Sequence, residues 1–146
     1  MKKNYKMIAI FIEPSDTLLG VPSGKSKKYQ IALLDLLFLL APPYNTVDLE
    51  EFLTMIFEKC FSEVCKDDEY TSIEKYYGIK GYVNARNKLR CVSIDWLDGG
   101  GYKIRPTKNA RKNGFQYLVE KIIPLETDYK PGELAKAFLK AVELSS

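Results

Sequence analysis

The stretch Leu89-Arg-Cys-Val-Ser-Ile-Asp-Trp-Leu97, Asp98-Gly-Gly-Gly101, Tyr102-Lys-Ile-Arg-Pro-Thr107 decides the fold class. Its first nine residues alternate, so Val92, Ile94 and Trp96 fall on one side of an extended chain and Cys91, Ser93 and Asp95 on the other. Asp98-Gly-Gly-Gly101 is a hairpin turn. The returning strand directs Tyr102 and Ile104 inward and Lys103 and Arg105 outward. A basic loop, Lys108-Asn-Ala-Arg-Lys-Asn-Gly114, then leads to a third expected strand over Phe115–Leu125.

Around this meander the period becomes helical. Downstream, Pro131 opens a helix with Leu134, Ala137, Phe138, Ala141 and Val142 on one stripe. Upstream, Leu49, Phe52, Leu53, Ile56, Phe57, Cys60, Phe61 and Val64 recur at three-and-four spacing. Asp48 followed by Glu51 gives that helix a capping-box-like start, and Glu50 and Glu51 suit its positive N-terminal end. Its opposite face presents Glu51, Met55, Glu58 and Ser62. Thr71–Tyr77 reads as a short helix with Gly78 as its left-handed cap.

The N-terminal third is expected to hold one strand, Met7–Ile12, stopped by Pro14. Glu13–Lys28, rich in Pro, Ser, Gly and Lys, reads as a loop. Tyr29–Ala41 is leucine-rich and apolar almost all round over thirteen residues, so a buried helix ended by Pro42-Pro43 is expected. The sum is an α+β chain: a single domain over 1–146, an antiparallel β-meander packed with amphipathic helices, with no internal repeat in the string.

Composition narrows the chemistry. The 146 residues are 46% hydrophobic and 28% charged, ordinary for a globular domain able to bury a core. There is no histidine, which removes Ser-His-Asp triads, Cys-His pairs and imidazole metal ligands. Three cysteines, Cys60, Cys65 and Cys91, supply neither a disulfide framework nor a four-ligand zinc site, and are expected to be free and mostly buried in a reducing compartment. Neither Met7–Ile12 nor Tyr29–Ala41 is long enough to span a membrane, and a cytosolic location is expected. No catalytic residue, cofactor or metal site is assigned.

The net charge of +3 conceals segregation. Six lysines against Glu13 and Asp16 give residues 1–28 a charge of +4, and ten acids against three lysines give 29–78 a charge of −7. Eleven bases against five acids then give 79–130 a charge of +6. Two surfaces of opposite sign are implied. The acidic one is represented by Glu51, Glu58, Asp67, Asp68 and Glu69; it suits electrostatic complementarity to a basic protein partner, against the plain alternative of a solvated helix face. The basic one is the hairpin 102–117, where Lys103, Arg105, Lys108, Arg111 and Lys112 interleave with Tyr102, Phe115 and Tyr117 as in single-stranded nucleic-acid binders. Alternation, however, puts those aromatics on the core side, away from the lysines, and a pI near 8.6 is low for such a role. Gly20-Val-Pro-Ser-Gly-Lys-Ser26 imitates a phosphate loop, but it is one residue short and Pro22 removes a donor.

As a string, the C-terminal half resembles the immunity proteins of bacterial contact-dependent growth inhibition (CDI). The resemblance runs from Ser72-Ile-Glu-Lys-Tyr-Tyr-Gly78 through Cys91–Asp95, Tyr102–Asn109, Asn113-Gly-Phe115 and Ile123-Pro-Leu125 to the closing helix at Gly132–Ser145. It covers about 71–145, half of the chain. It implies a non-enzymatic cytosolic protein that binds the toxic C-terminal domain of a delivered toxin, often a nuclease, and blocks its active site. Some members are similar to single-stranded nucleic-acid-binding folds of the Whirly type. Many nuclease immunity proteins are acidic, whereas this chain is slightly basic, so either the acidic segment 48–74 does the binding locally or the toxin is not strongly basic.

Overall fold

The computed structural model describes residues 4–65 and 71–146. Two strands form its centre: β1 (Tyr5–Ile12) and β5 (Arg90–Leu97) pair antiparallel along their whole length, Tyr5 opposite Leu97 and Ile12 opposite Arg90. β1 is buried without a break from Ile8 to Ile12 because both sheet faces are covered. On one face Ile8, Ile10, Ile12, Val92 and Ile94 lie beneath two helices, α1 (Thr46–Glu58) and α4 (Glu133–Leu144). On the other, Ala9, Phe11 and Cys91 pack with Ile73, Ala85 and Leu89, which belong to or border α2 (Ser72–Tyr77) and α3 (Tyr82–Ala85).

The hairpin Leu89–Thr107 forms as the alternation dictates. β6 (Gly101–Asn109) returns antiparallel to β5, with Ile104 fully buried in the first core and Lys103 exposed. The expected third strand is broken. β7 (Phe115–Tyr117) and β8 (Ile123–Leu125) both pair with β6, but a 3-10 turn at Val119–Lys121 separates them. From Tyr102 to Thr107 is five residues, whereas their partners Leu125 and Tyr117 are eight apart, so the return strand carries a three-residue bulge.

Two expectations for the N-terminal third are overturned. Residues Leu18–Ser26, expected as loop, form β2, a nine-residue strand with eight buried positions. It is paired to β1 on one side through Leu18–Pro22, and on the other to β3 (Gln30–Leu33) and β4 (Phe38–Leu40). Those last two strands replace the helix expected over Tyr29–Ala41. A chain side by side with β2 satisfies its backbone groups in the sheet, and this tertiary pairing overrides the helical preference of leucine. Pro22 is tolerated where the partner strand bulges, and its carbonyl accepts the N–H of Leu34 at 2.8 Å. The glycines of the false phosphate loop have a packing role. A Cβ on Gly20 would lie 2.1 Å from Ile56 Cδ1 and 3.2 Å from the Phe52 ring, so Gly20 lets α1 settle on the sheet.

The string holds no repeat, yet the architecture has one. β1–β2–β3–β4–α1 and β5–β6–β7–β8–α4 are both four strands followed by a helix. Their first strands pair at the sheet centre, their last strands form its two edges, and their helices pack together on one face. α1 buries Leu49, Phe52, Leu53, Ile56 and Phe57, as the spacing predicts. Its N-cap is Asn45, whose side chain accepts the Asp48 N–H at 2.8 Å, so the helix starts before the expected Asp48–Glu51 box. It also ends earlier: Phe61 sits at φ +61° in a turn and Val64 is exposed. α2 matches expectation, with a Thr71–Glu74 capping box and Gly78 at φ +65°. Among the described residues no helix is long and apolar enough to cross a membrane.

Candidate partner-binding groove

The outward face of α1 and the turn before α4 enclose a groove of about 550 Å³. Glu51, Thr54, Met55 and Glu58 line its helical wall, with Val47 and Glu50 one turn earlier, while Tyr129, Pro131 and Gly132 form the opposite wall. Seven residues separate Glu51 from Glu58, which places both carboxylates on one helix face about 10 Å apart along the axis. Both are exposed, and among the described residues no ion pair reaches either one. α1 holds Asp48, Glu50, Glu51 and Glu58 and not one base.

Glu50 acts differently from its sequence reading. Its carboxylate faces the start of α4, accepting the Gly132 N–H at 2.8 Å and the Ala135 N–H at 3.2 Å. Gly132 is the N-cap residue of α4, and its own backbone supplies no side-chain acceptor. Glu50 therefore satisfies two otherwise orphaned donors and places a negative charge at the positive end of α4. It joins the two helices and fixes the groove's width. Its partners lie 82 and 85 residues away, so no local pattern could have exposed this role.

The far wall is fixed by ring contacts. Tyr129 stands edge-on to Tyr102 at 5.6 Å between centroids, and Tyr102 stands edge-on to Phe57 at 5.4 Å. Burial raises the Tyr102 hydroxyl above its ordinary pKa, and Tyr129 adds to the effect. Val47 is 64% exposed at one end, so an apolar floor of Val47, Met55, Tyr129 and Pro131 meets an acidic rim. The sequence signalled Met55 beside Glu51 and Glu58; the contribution of Tyr129 and Pro131 depends on the tertiary fold. Of the five acids singled out, Asp67, Asp68 and Glu69 lie outside the described residues.

The five bases of the alternative site do not act as one surface. Arg105 Nε donates to Asp95 Oδ2 at 2.7 Å, a half-buried ion pair, and its guanidinium lies 5.2 Å from the centre of the Tyr117 ring. The guanidinium of Arg111 donates to the Asn87 carbonyl at 3.1 Å and to its side chain. Lys103, Lys108 and Lys112 are exposed. One expectation needs correcting: Tyr117 is not on the core side but 47% exposed beneath Arg105. The bulge between β7 and β8 frees that strand from the alternation of an unbroken one. Tyr5, beside Asp95 and Arg105, has its pKa pushed up to about 12, first by burial and then by the Asp95 charge.

Cys60 and Cys91 are buried as expected, and Cys65 is partly buried. Burial pushes the Cys91 thiol up to about 12. Among the described residues no group of three or more His, Cys, Asp or Glu is placed to hold a metal ion.

No family model matches the chain, and no curated protein matches it in sequence. Its fold is found among solved structures. A protein of unknown function from Neisseria meningitidis superposes with a TM-score of 0.73 at 13% identity, covering 99% of this chain and 97% of its own. A chain of a CdiA-CT/CdiI toxin and immunity complex from Yersinia pseudotuberculosis superposes with a TM-score of 0.70 at 15% identity, covering 97% and 98%. At these identities the likeness is one of fold.

Proposed function

We propose that this chain is a CDI immunity protein, which binds the C-terminal toxin domain of such a system in the cytosol and neutralises it by covering its active site. One observation carries the reading: a chain from a toxin and immunity complex shares this fold over nearly its whole length. The string resemblance across residues 71–145 points the same way. The acidic side of α1, with Glu51 and Glu58, is the proposed contact face, and Asp67, Asp68 and Glu69 extend it in sequence. Unpaired exposed carboxylates on a rigid helix speed encounter with a basic partner, and an apolar floor retains it. A nuclease is the toxin class this charge suits, because an enzyme that grips phosphate presents basic residues around its active site.

The test is co-expression with a candidate toxin domain of the kind such systems encode beside their immunity proteins. A one-to-one complex that survives purification and rescues growth is the expected result. Dying cells and an unaccompanied protein would remove the reading.

A second reading, a single-stranded nucleic-acid module, has one observation in its favour: exposed Tyr117 capped by Arg105, near Lys103 and Lys108. Asp95 neutralises Arg105, and Arg111 is held by Asn87, which leaves three lysines for phosphate. Oligonucleotide affinity that falls steeply with salt, and is lost on neutralising Lys103, Lys108 and Lys112, would establish it.

A further inference from the structure

We infer that the groove between α1 and the Tyr129–Gly132 turn receives a helical segment of the toxin that carries two arginines seven residues apart, about 10 Å along its axis. This deepens the immunity reading and rests on it. Charge selects the occupant. The rim carboxylates Glu51 and Glu58 form no ion pair among the described residues, and Glu50 is already engaged by α4. The floor selects arginine over other cations. Val47 and Met55 offer an apolar track for a long side-chain stem, and the Tyr129 ring, held by Tyr102, gives a flat face for a guanidinium. The pinning of α4 by Glu50 keeps the walls in place before binding, so little ordering is needed at encounter.

Two alanine-based helical peptides provide the probe, one with arginines seven apart and one with the same arginines five apart, on different sides of the helix. They are titrated into the full chain and followed by fluorescence anisotropy and amide chemical shifts. The seven-spaced peptide is expected to bind about ten-fold or more tightly, shifting resonances of α1 and Tyr129–Gly132. Glu51→Gln with Glu58→Gln is expected to erase the difference while thermal unfolding stays unchanged, and Lys136→Glu is expected to leave binding as it was. Equal affinity for the two peptides, or a preference untouched by the double substitution, would overturn the inference. So would a concentration-dependent dimer broken by the same substitutions, because a second copy's basic hairpin would then be the occupant. Toxin co-expression separates the two claims. Growth rescue that ignores Glu51 and Glu58 overturns the groove and leaves immunity standing. Peptide discrimination without any toxin binding supports the groove and removes immunity.

Discussion

The two four-strand-and-helix units do the same structural work and present different surfaces. α1 and α4 lie side by side on one sheet face, and each sends a stripe of fully buried side chains into a common core, Leu49, Leu53 and Ile56 from one and Leu134, Ala135, Phe138 and Ala141 from the other. Outside, they diverge. α4 balances Glu133 and Glu143 with Lys136 and Lys140, and Lys140 approaches Glu143 at 3.9 Å on the exposed surface. α1 carries four acids and no base. Because fold stability depends on the inner stripes and weakly on exposed charge, the imbalance on α1 is free to serve recognition.

That contrast can be broken or sharpened by measurement. The largest effects belong to the inner stripes. Phe138→Ala should cost about 3–5 kcal/mol and Leu53→Ala about 2–5 kcal/mol in chemical denaturation, both from fully buried sites. If one helix tolerates its truncation at under about 1 kcal/mol, the two units are not equivalent supports. Next comes the joint between them: Glu50→Ala leaves the Gly132 and Ala135 N–H groups without their acceptor and should cost about 1–3 kcal/mol. A smaller change is expected from Thr71→Ala, which removes the α2 cap and should cost about 1 kcal/mol. For the outer surfaces the expected stability change is within about 0.5 kcal/mol. Glu51→Lys with Glu58→Lys should nevertheless slow toxin association about ten-fold or more, while Lys136→Glu with Lys140→Glu does not. Stopped-flow association at two salt concentrations decides between them.

The remaining effect vanishes at neutral pH. In the folded protein the Cys91 thiol titrates near 12 because it is buried, and the Tyr5 hydroxyl near 12 for the same reason aided by Asp95. Both ionise at lower pH when unfolded, so the unfolded chain loses protons first as the solution turns alkaline. The contribution of these two groups should be constant below pH 9 and be lost as pH rises from 9 toward 12. Cys91→Ala should flatten part of that decline, as read by denaturation midpoints across the range.

How much of this was legible in the string depends on which partner decides each element. The hairpin Leu89–Thr107, the buried stripes of α1 and α4 and the Thr71–Gly78 cap are local patterns, and all three stand in the structure. Leu18–Leu40 carries no such local pattern, because its strands are made by each other. Leucine-rich β3 and β4 look helical, and Gly- and Pro-bearing β2 looks like a loop, until they lie side by side. At the candidate site, Glu51, Met55 and Glu58 were visible as one helix face. Tyr129, Pro131 and the joining role of Glu50 were not, because each acquires its meaning across more than seventy residues of chain.

The interrupted outer strands have a consequence for life in a crowded solution. Each margin of the sheet is divided into pieces of four residues or fewer, β3 and β4 on one side and β7 and β8 on the other. A neighbouring molecule seeking to extend the sheet finds no long, flat ladder on which to propagate. The folded chain can thus accumulate to high concentration without templating its own fibres.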